Sequence, residues 1–229
     1  TRRSSDLPMS QILNNYQRSL STMNRSSASS QAGVQREGTT GIPQQQRLQP
    51  QSMFQPINED INLTFSVGNP TSFENNTVDG YTNCNGGQTI FDCNIKLNPH
   101  MLSKASKDYI FITLIHEALH GYIKFKRHTL DSTEFKNLFP LYFPINGESQ
   151  HSVMAGNQAN SFVEKMAAAL TTFNPNISLA NAKALAWGGL GGTDQWKNLA
   201  ADTLIIKSIN LEAKNPSTTS NPYNFLKCD

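Results

Sequence analysis

The chain has 229 residues, of which only 16% are charged, and a net charge of +2. That length holds one medium domain with a tail or one larger domain, and so small a charge makes no electrostatic case for nucleic acid or an anionic membrane surface. No run approaches the roughly 18 consecutive apolar residues that span a bilayer, so no membrane span is expected.

Residues 1–58 are rich in Ser, Gln and Asn, with Gln44-Gln45-Gln46, Pro43, Pro50 and Pro56 and few aliphatics beyond Ile12, Leu13 and Leu20. Such a segment buries too little apolar surface to offset the entropy of ordering it, and it reads as a disordered leader or linker. Its six arginines against Asp6 and Glu37 give it +4, leaving −2 on the remainder (+2 minus +4). A solvated linker is the plain reading; a leader recognised by a secretion or delivery machine is the sharper one. The chain starts at Thr1 with neither a methionine nor an apolar signal core, so a targeting signal is expected upstream and export is the expected destination.

Order is expected over 59–215, with a polar tail at 216–229. Ile61, Leu63, Phe65 and Val67 alternate with polar residues, the period of a half-buried strand. A second strand covers Thr89–Leu97, with Phe91, Cys93, Ile95 and Leu97 on one face. Cys84 and Cys93 flank the turn-like Asn85-Gly86-Gly87-Gln88 between two plausible strands. A hairpin of that length brings them within disulfide reach, which would imply an oxidising compartment; two reduced thiols is the other reading. Ser103 or Ser106 can cap the next helix, which runs to about Lys126 and is apolar around nearly its whole circumference at first. Arg127–Gly147 reads as a long loop. Helices are then expected over Gln150–Phe173, Ser178–Trp187 and Thr193–Leu211.

The first of these helices carries His116-Glu117-Ala118-Leu119-His120. Histidines four apart lie about 40° apart around a helix, so both imidazoles can face one metal ion. Glu117 is near enough to take a proton from a water on that ion without being a ligand. Two neutral nitrogen ligands, an open position and a carboxylate are what a Zn2+ hydrolase needs. Chance occurrences of H-E-x-x-H usually fall on polar helices or loops; this one lies in an apolar run.

A catalytic zinc takes a third protein ligand. His128 lies about 12 Å further along a continuing helix and is out of reach; the position six after His120 is Lys126, so no metzincin-type third histidine is present. Glu164 falls on the opposite side of helix 150–173 from the apolar face of Ala155, Ala159, Phe162, Met166 and Leu170, whereas His151 shares that face. His151 is therefore the expected ligand, with Glu148 just before the helix as a further candidate. His100 is unassigned. Tyr122 and Tyr142 are candidate donors to a tetrahedral oxyanion, Tyr142 the better placed because it lies between the metal-binding helices. Trp187 and Trp196 read as core or lid aromatics.

The run Thr113–Ile123 containing the pentapeptide, the segment His151-Ser152-Val153-Met154-Ala155, and Trp187-Gly188-Gly189-Leu190 with Thr193 resemble the SprT-like branch of the zincin metallopeptidases and uncharacterised metallopeptidases of Bacteroidetes-type bacterial genomes. The resemblance covers roughly residues 85–200. It implies an α+β, zincin-like fold: a small twisted sheet on a helical layer, with the motif on a buried active-site helix. It implies zinc on His116, His120 and His151, Glu117 as general base, and a peptide substrate lying along strand Ile90–Leu97 as an added strand. Paired C-x-x-C motifs and basic segments, which mark DNA-repair members of that branch, are absent, so a nucleic-acid partner is not expected. The expected activity is a zinc-dependent endopeptidase acting on a protein or peptide substrate, secreted or delivered as an effector or toxin. The alternative is a non-catalytic zincin-like module that binds peptides or uses zinc structurally.

Overall fold

Apolar–polar alternation produces the first strand, β1 (Ile61–Val67), and a one-turn 3-10 helix, Pro70–Phe73, follows it. The computed structural model describes residues 61–73, 78–86, 91–142, 149–156, 161–199, 202–217 and 221–227; the expected leader at 1–58 and Glu148 lie outside them. Strand β2 (Gly80–Gly86) and strand β3 (Phe91–Leu97) complete a three-stranded sheet in the order β1-β3-β2. β1 runs parallel to β3 in the register Ile61↔Phe91, and β2 runs antiparallel to it in the register Gly80↔Leu97. β3 buries Phe91, Cys93, Ile95 and Leu97 and exposes Asp92 and Asn94, so one face of the sheet meets the core and the other stays polar.

This order corrects the expectation that Ile90–Leu97 is the substrate-facing edge. β3 is the centre strand and β1 and β2 are the edges; the edge that lines the cleft is β2, whose Gly-Tyr-Thr-Asn-Cys-Asn-Gly sequence has few of the β-branched and aromatic residues that mark strands. The two outer strands are unequal: β1 packs through Leu63 and Phe65, whereas β2 is held by the Cys84–Cys93 disulfide to its neighbour.

After the short α1 (Pro99–Leu102), Ser106 caps α2 (Lys107–Thr129) by accepting from the Tyr109 N–H. This 23-residue helix is the axis of the molecule, with Ile110, Leu114 and Ile123 fully buried. It touches the sheet at Gly121, where a Cβ would come within 3.3 Å of Cys93 Sγ and 3.2 Å of Leu63. The absent side chain lets helix and sheet approach.

The segment expected to be a loop holds α3 (Ser132–Leu138), started by a capping box in which Asp131 accepts from the Thr133 and Glu134 N–H groups and Glu134 reaches back to Asp131 N. The single helix expected over 150–173 is two: α4 (Gln150–Ala155) ends at Gly156, whose φ of +57° favours glycine, and α5 (Phe162–Phe173) restarts on a Ser161 cap. Helix α6 (Leu179–Ala186) matches expectation, and the last expected helix is divided into α7 (Asp194–Lys197) and α8 (Thr203–Lys214). Helices α5, α6 and α8 close the core around α2 through Met166, Leu170, Leu185, Ile206 and Ile209. The expected polar tail folds back: Phe225 is buried, and the Lys107 N–H donates to the Leu226 carbonyl at 3.1 Å. The architecture is α+β, a small mixed sheet against a helical layer.

Candidate metal centre

Helix α2 places His116 and His120 one turn apart on the side facing the cleft, and α4 brings His151 to the same point. Ser149 caps α4 by accepting from the Ser152 N–H, and the helix is anchored by the buried Val153, Met154 and Ala155 while His151 at its exposed start lines the cleft. The three rings sit with centroids 5.0, 5.0 and 5.3 Å apart. One ligand nitrogen from each lies within 4.8 Å of the others. His120 Nε2 and His151 Nε2 are 3.2 Å apart, close to the roughly 3.3 Å separating two nitrogens at about 2.0–2.1 Å from a tetrahedral zinc.

The sequence offers no direct signal for Gln150, yet its Oε1 lies 2.6 Å from His120 Nδ1. An amide oxygen only accepts, so Nδ1 carries the proton and Nε2 keeps its lone pair for the ligand position; this is the outer support typical of a metal-bound histidine. Burial lowers the pKa of all three rings, His116 most, with the neighbouring imidazoles adding to it, and His120 falls to about 4. Three neutral imidazoles at neutral pH suit a divalent ion of borderline softness. Gly189 packs against the other side of His116: its φ is +79°, and a Cβ there would come 3.1 Å from His116 Cε1. The Trp187-Gly188-Gly189 turn thus backs His116.

Glu117 is buried, and its Oε2 accepts a 2.7 Å hydrogen bond from Thr82 Oγ1, which also lies 2.8 Å from the Glu117 carbonyl. Burial raises its pKa; the Thr82 bond and the Lys124 ammonium oppose the rise. The strand passes close above it, since a Cβ on Gly80 would meet Glu117 Cγ at 3.0 Å.

The register shows how β2 faces the cleft. Cys84 and Cys93 are directly opposite with Cα atoms 4.1 Å apart, the close spacing of a non-hydrogen-bonded pair. By alternation Gly80, Thr82 and Cys84 turn their N–H and C=O groups away from β3. The Thr82 carbonyl accordingly accepts from Lys124 Nζ at 2.6 Å. At the other end Tyr109 donates to Asp79 Oδ2 at 2.8 Å, and Lys214 Nζ lies 2.7 Å from Asp79 Oδ1. The cleft between β2, α2 and α4 has a volume of about 540 Å³ and is lined by the three histidines, Glu117, Thr82 and Lys124 among others.

Of the expected site residues, His116, Glu117, His120 and His151 converge here. Tyr142 does not: it is buried with its ring edge-on to Phe135 at 4.8 Å and is not among the residues lining the cleft. The unforeseen α3 explains this, because its Phe135 and the Phe139 that ends it draw the following residues into the core. Tyr122 packs edge-on to Phe139. His128 sits beside Phe91 and Gly86 at the end of the sheet, and His100 is exposed on α1. Glu164 pairs with Lys183 at 2.9 Å. Trp187 and Trp196 meet edge-on against the core. No protein-family model, curated protein or solved structure matches this chain.

Proposed function

We propose that this chain is a zinc-dependent endopeptidase. The observation that carries the reading is the convergence of three neutral imidazoles with a buried carboxylate, on the edge of a strand with outward-turned backbone groups. His116, His120 and His151 would hold the ion, which when bound supplies Lewis acidity and a lowered pKa for a water.

The chain's own residues account for the remaining steps. The outward N–H and C=O of Gly80 and the N–H of Thr82 align a peptide as an added strand. Glu117, its pKa raised by burial, takes a proton from the attacking water and returns it to the leaving amine. Thr82 fixes which carboxylate oxygen faces the cleft, since its hydroxyl occupies Oε2. Tyr109 lines the same cleft where Tyr142 does not, with its hydroxyl donating to Asp79 Oδ2.

A structural zinc site has no need of a carboxylate beside the ligands, and that favours catalysis over a non-catalytic module. The Cys84–Cys93 disulfide supports export to an oxidising compartment. No helix among the described residues is long and apolar enough to cross a membrane.

The test is metal content and cleavage of a denatured protein mixture by the wild type, Glu117→Gln and His151→Ala. One zinc per chain in the wild type and Glu117→Gln, with cleavage lost in the latter, is the expected result. His151→Ala should lose zinc while keeping its circular-dichroism spectrum. Full zinc affinity in His151→Ala, or cleavage surviving Glu117→Gln, would overturn the assignment.

A further inference from the structure

The charged groups bordering the cleft differ in how they are held. Asp79, at one end, is met by Lys214 and by the Tyr109 hydroxyl. Glu117, in the middle, is met by Thr82. Lys124, at the other end, lines the cleft half-buried and makes no ion pair among the described residues; its one hydrogen bond is to the Thr82 carbonyl. An ammonium has three N–H donors, so two remain for a ligand. Its charge acts at longer range on the Glu117 carboxylate, with which it forms no ion pair, and its two remaining N–H groups are open to an acceptor on a bound peptide.

Position adds a second constraint. Lys124 follows His120 by one turn of α2, about 6 Å along the axis, which is about the length of two extended residues. By taking the Thr82 carbonyl, it also ends the pairing edge: a strand added to β2 bonds at Gly80 and meets an ammonium at Thr82. A peptide in that place either terminates there or presents a side chain there.

We propose that Lys124 anchors a carboxylate of the bound peptide, seated within two residues of the bond that is cut. The proposal rests on the zinc-peptidase reading for the bond cut, though not for the binding itself. Two sources supply the same chemistry, a C-terminal α-carboxylate or an Asp or Glu side chain.

The experiment uses the full chain carrying Glu117→Gln, loaded with zinc so that ligands bind without turnover. Calorimetry compares N-acetyl-tetra-alanine with its C-terminal amide, and amidated tetrapeptides carrying Asp with those carrying Asn at each position in turn. The acid member of one pair should bind about tenfold or more tightly than its neutral counterpart, the size of a half-buried charge-assisted hydrogen bond. That preference should vanish in Lys124→Met and survive in part in Lys124→Arg. A preference in the α-carboxylate pair assigns chain-end recognition; one in the Asp/Asn pairs assigns an acidic side chain. Equal binding of acid and amide, or no binding of either, overturns the anchor, as does a preference that persists in Lys124→Met, which would put the carboxylate on the metal. Wild-type cleavage of the denatured mixture, measured in parallel, tests the peptidase reading separately: a Lys124-dependent preference without any turnover upholds the anchor and sinks the peptidase.

Discussion

Replacing Gly189 by alanine should damage the metal centre without touching a ligand. The backbone there has φ +79°, and an L-residue in the left-handed region costs about 1–2 kcal/mol. The added Cβ would also stand 3.1 Å from Cε1 and 3.5 Å from Nε2 of His116. The ring cannot give way easily, because Ile112, Ile115 and Leu119 hold that stretch of α2 in the core. Loss of a supporting contact to a ligand typically weakens metal binding about 10- to 100-fold. The expected result is therefore a metal-free protein less stable by about 1–2 kcal/mol in urea and a zinc Kd, measured by competition with a chromophoric chelator, raised about tenfold. Gly192→Ala is the control, since nothing lies within 4 Å of a Cβ there; it should change stability by less than about 0.5 kcal/mol. A Gly189→Ala protein that loses stability but binds zinc as tightly as the wild type would refute the contact with His116. Unchanged stability as well would refute the backbone conformation.

Thr82→Val removes the hydrogen bond that opposes the raised pKa of Glu117; the acidic limb of kcat/KM, below which the base is protonated, should move up by about one pH unit, and an unmoved limb would show that Thr82 does not hold the carboxylate. The three histidines bind fewer protons folded than unfolded, because their pKa values are lowered, His120 to about 4. Stability of the metal-free chain should accordingly fall as pH drops from about 6.5 toward 4, with no contribution from these groups above that window; urea midpoints at pH 7.5, 6 and 5 check the slope. Reducing the Cys84–Cys93 disulfide should cost about 2–3 kcal/mol of stability for a loop this short, read as a lower urea midpoint with dithiothreitol and mimicked by Cys84→Ser.

Local pattern carried the sequence reading where one element decides the outcome by itself. The alternation of β1 and β3, the Ser106 cap and the apolar face of α2 depend on neighbours in the chain, and so does the pairing of His116 with His120. His151 lies in the site, but not by sharing a helix face against Glu164: α4 and α5 are separate helices, so an angle between the two residues on a common axis has no meaning. Glu164 is excluded by its exposed ion pair with Lys183 instead. Gly156 was the visible sign of the break, and Asp131 with Glu134 the visible sign of α3. Thr82, Gln150 and Lys124 were not legible, because each works through a partner about 30 to 40 positions away that only the folded chain supplies.

On the zinc-peptidase reading, the unequal origin of the ligands matters beyond catalysis. Two come from a helix of 23 residues built into the core, and the third from a helix of six. The ion would thus act as a clasp fastening the smaller piece to the larger, with part of its binding free energy spent as folding free energy for α4. Competence then becomes a property of the surroundings as well as of the chain. Where free zinc is scarce the same polypeptide would persist as an inert scaffold, and where zinc is abundant it would become competent by binding alone. A hydrolase so built would separate manufacture from action by nothing more than a difference in metal supply.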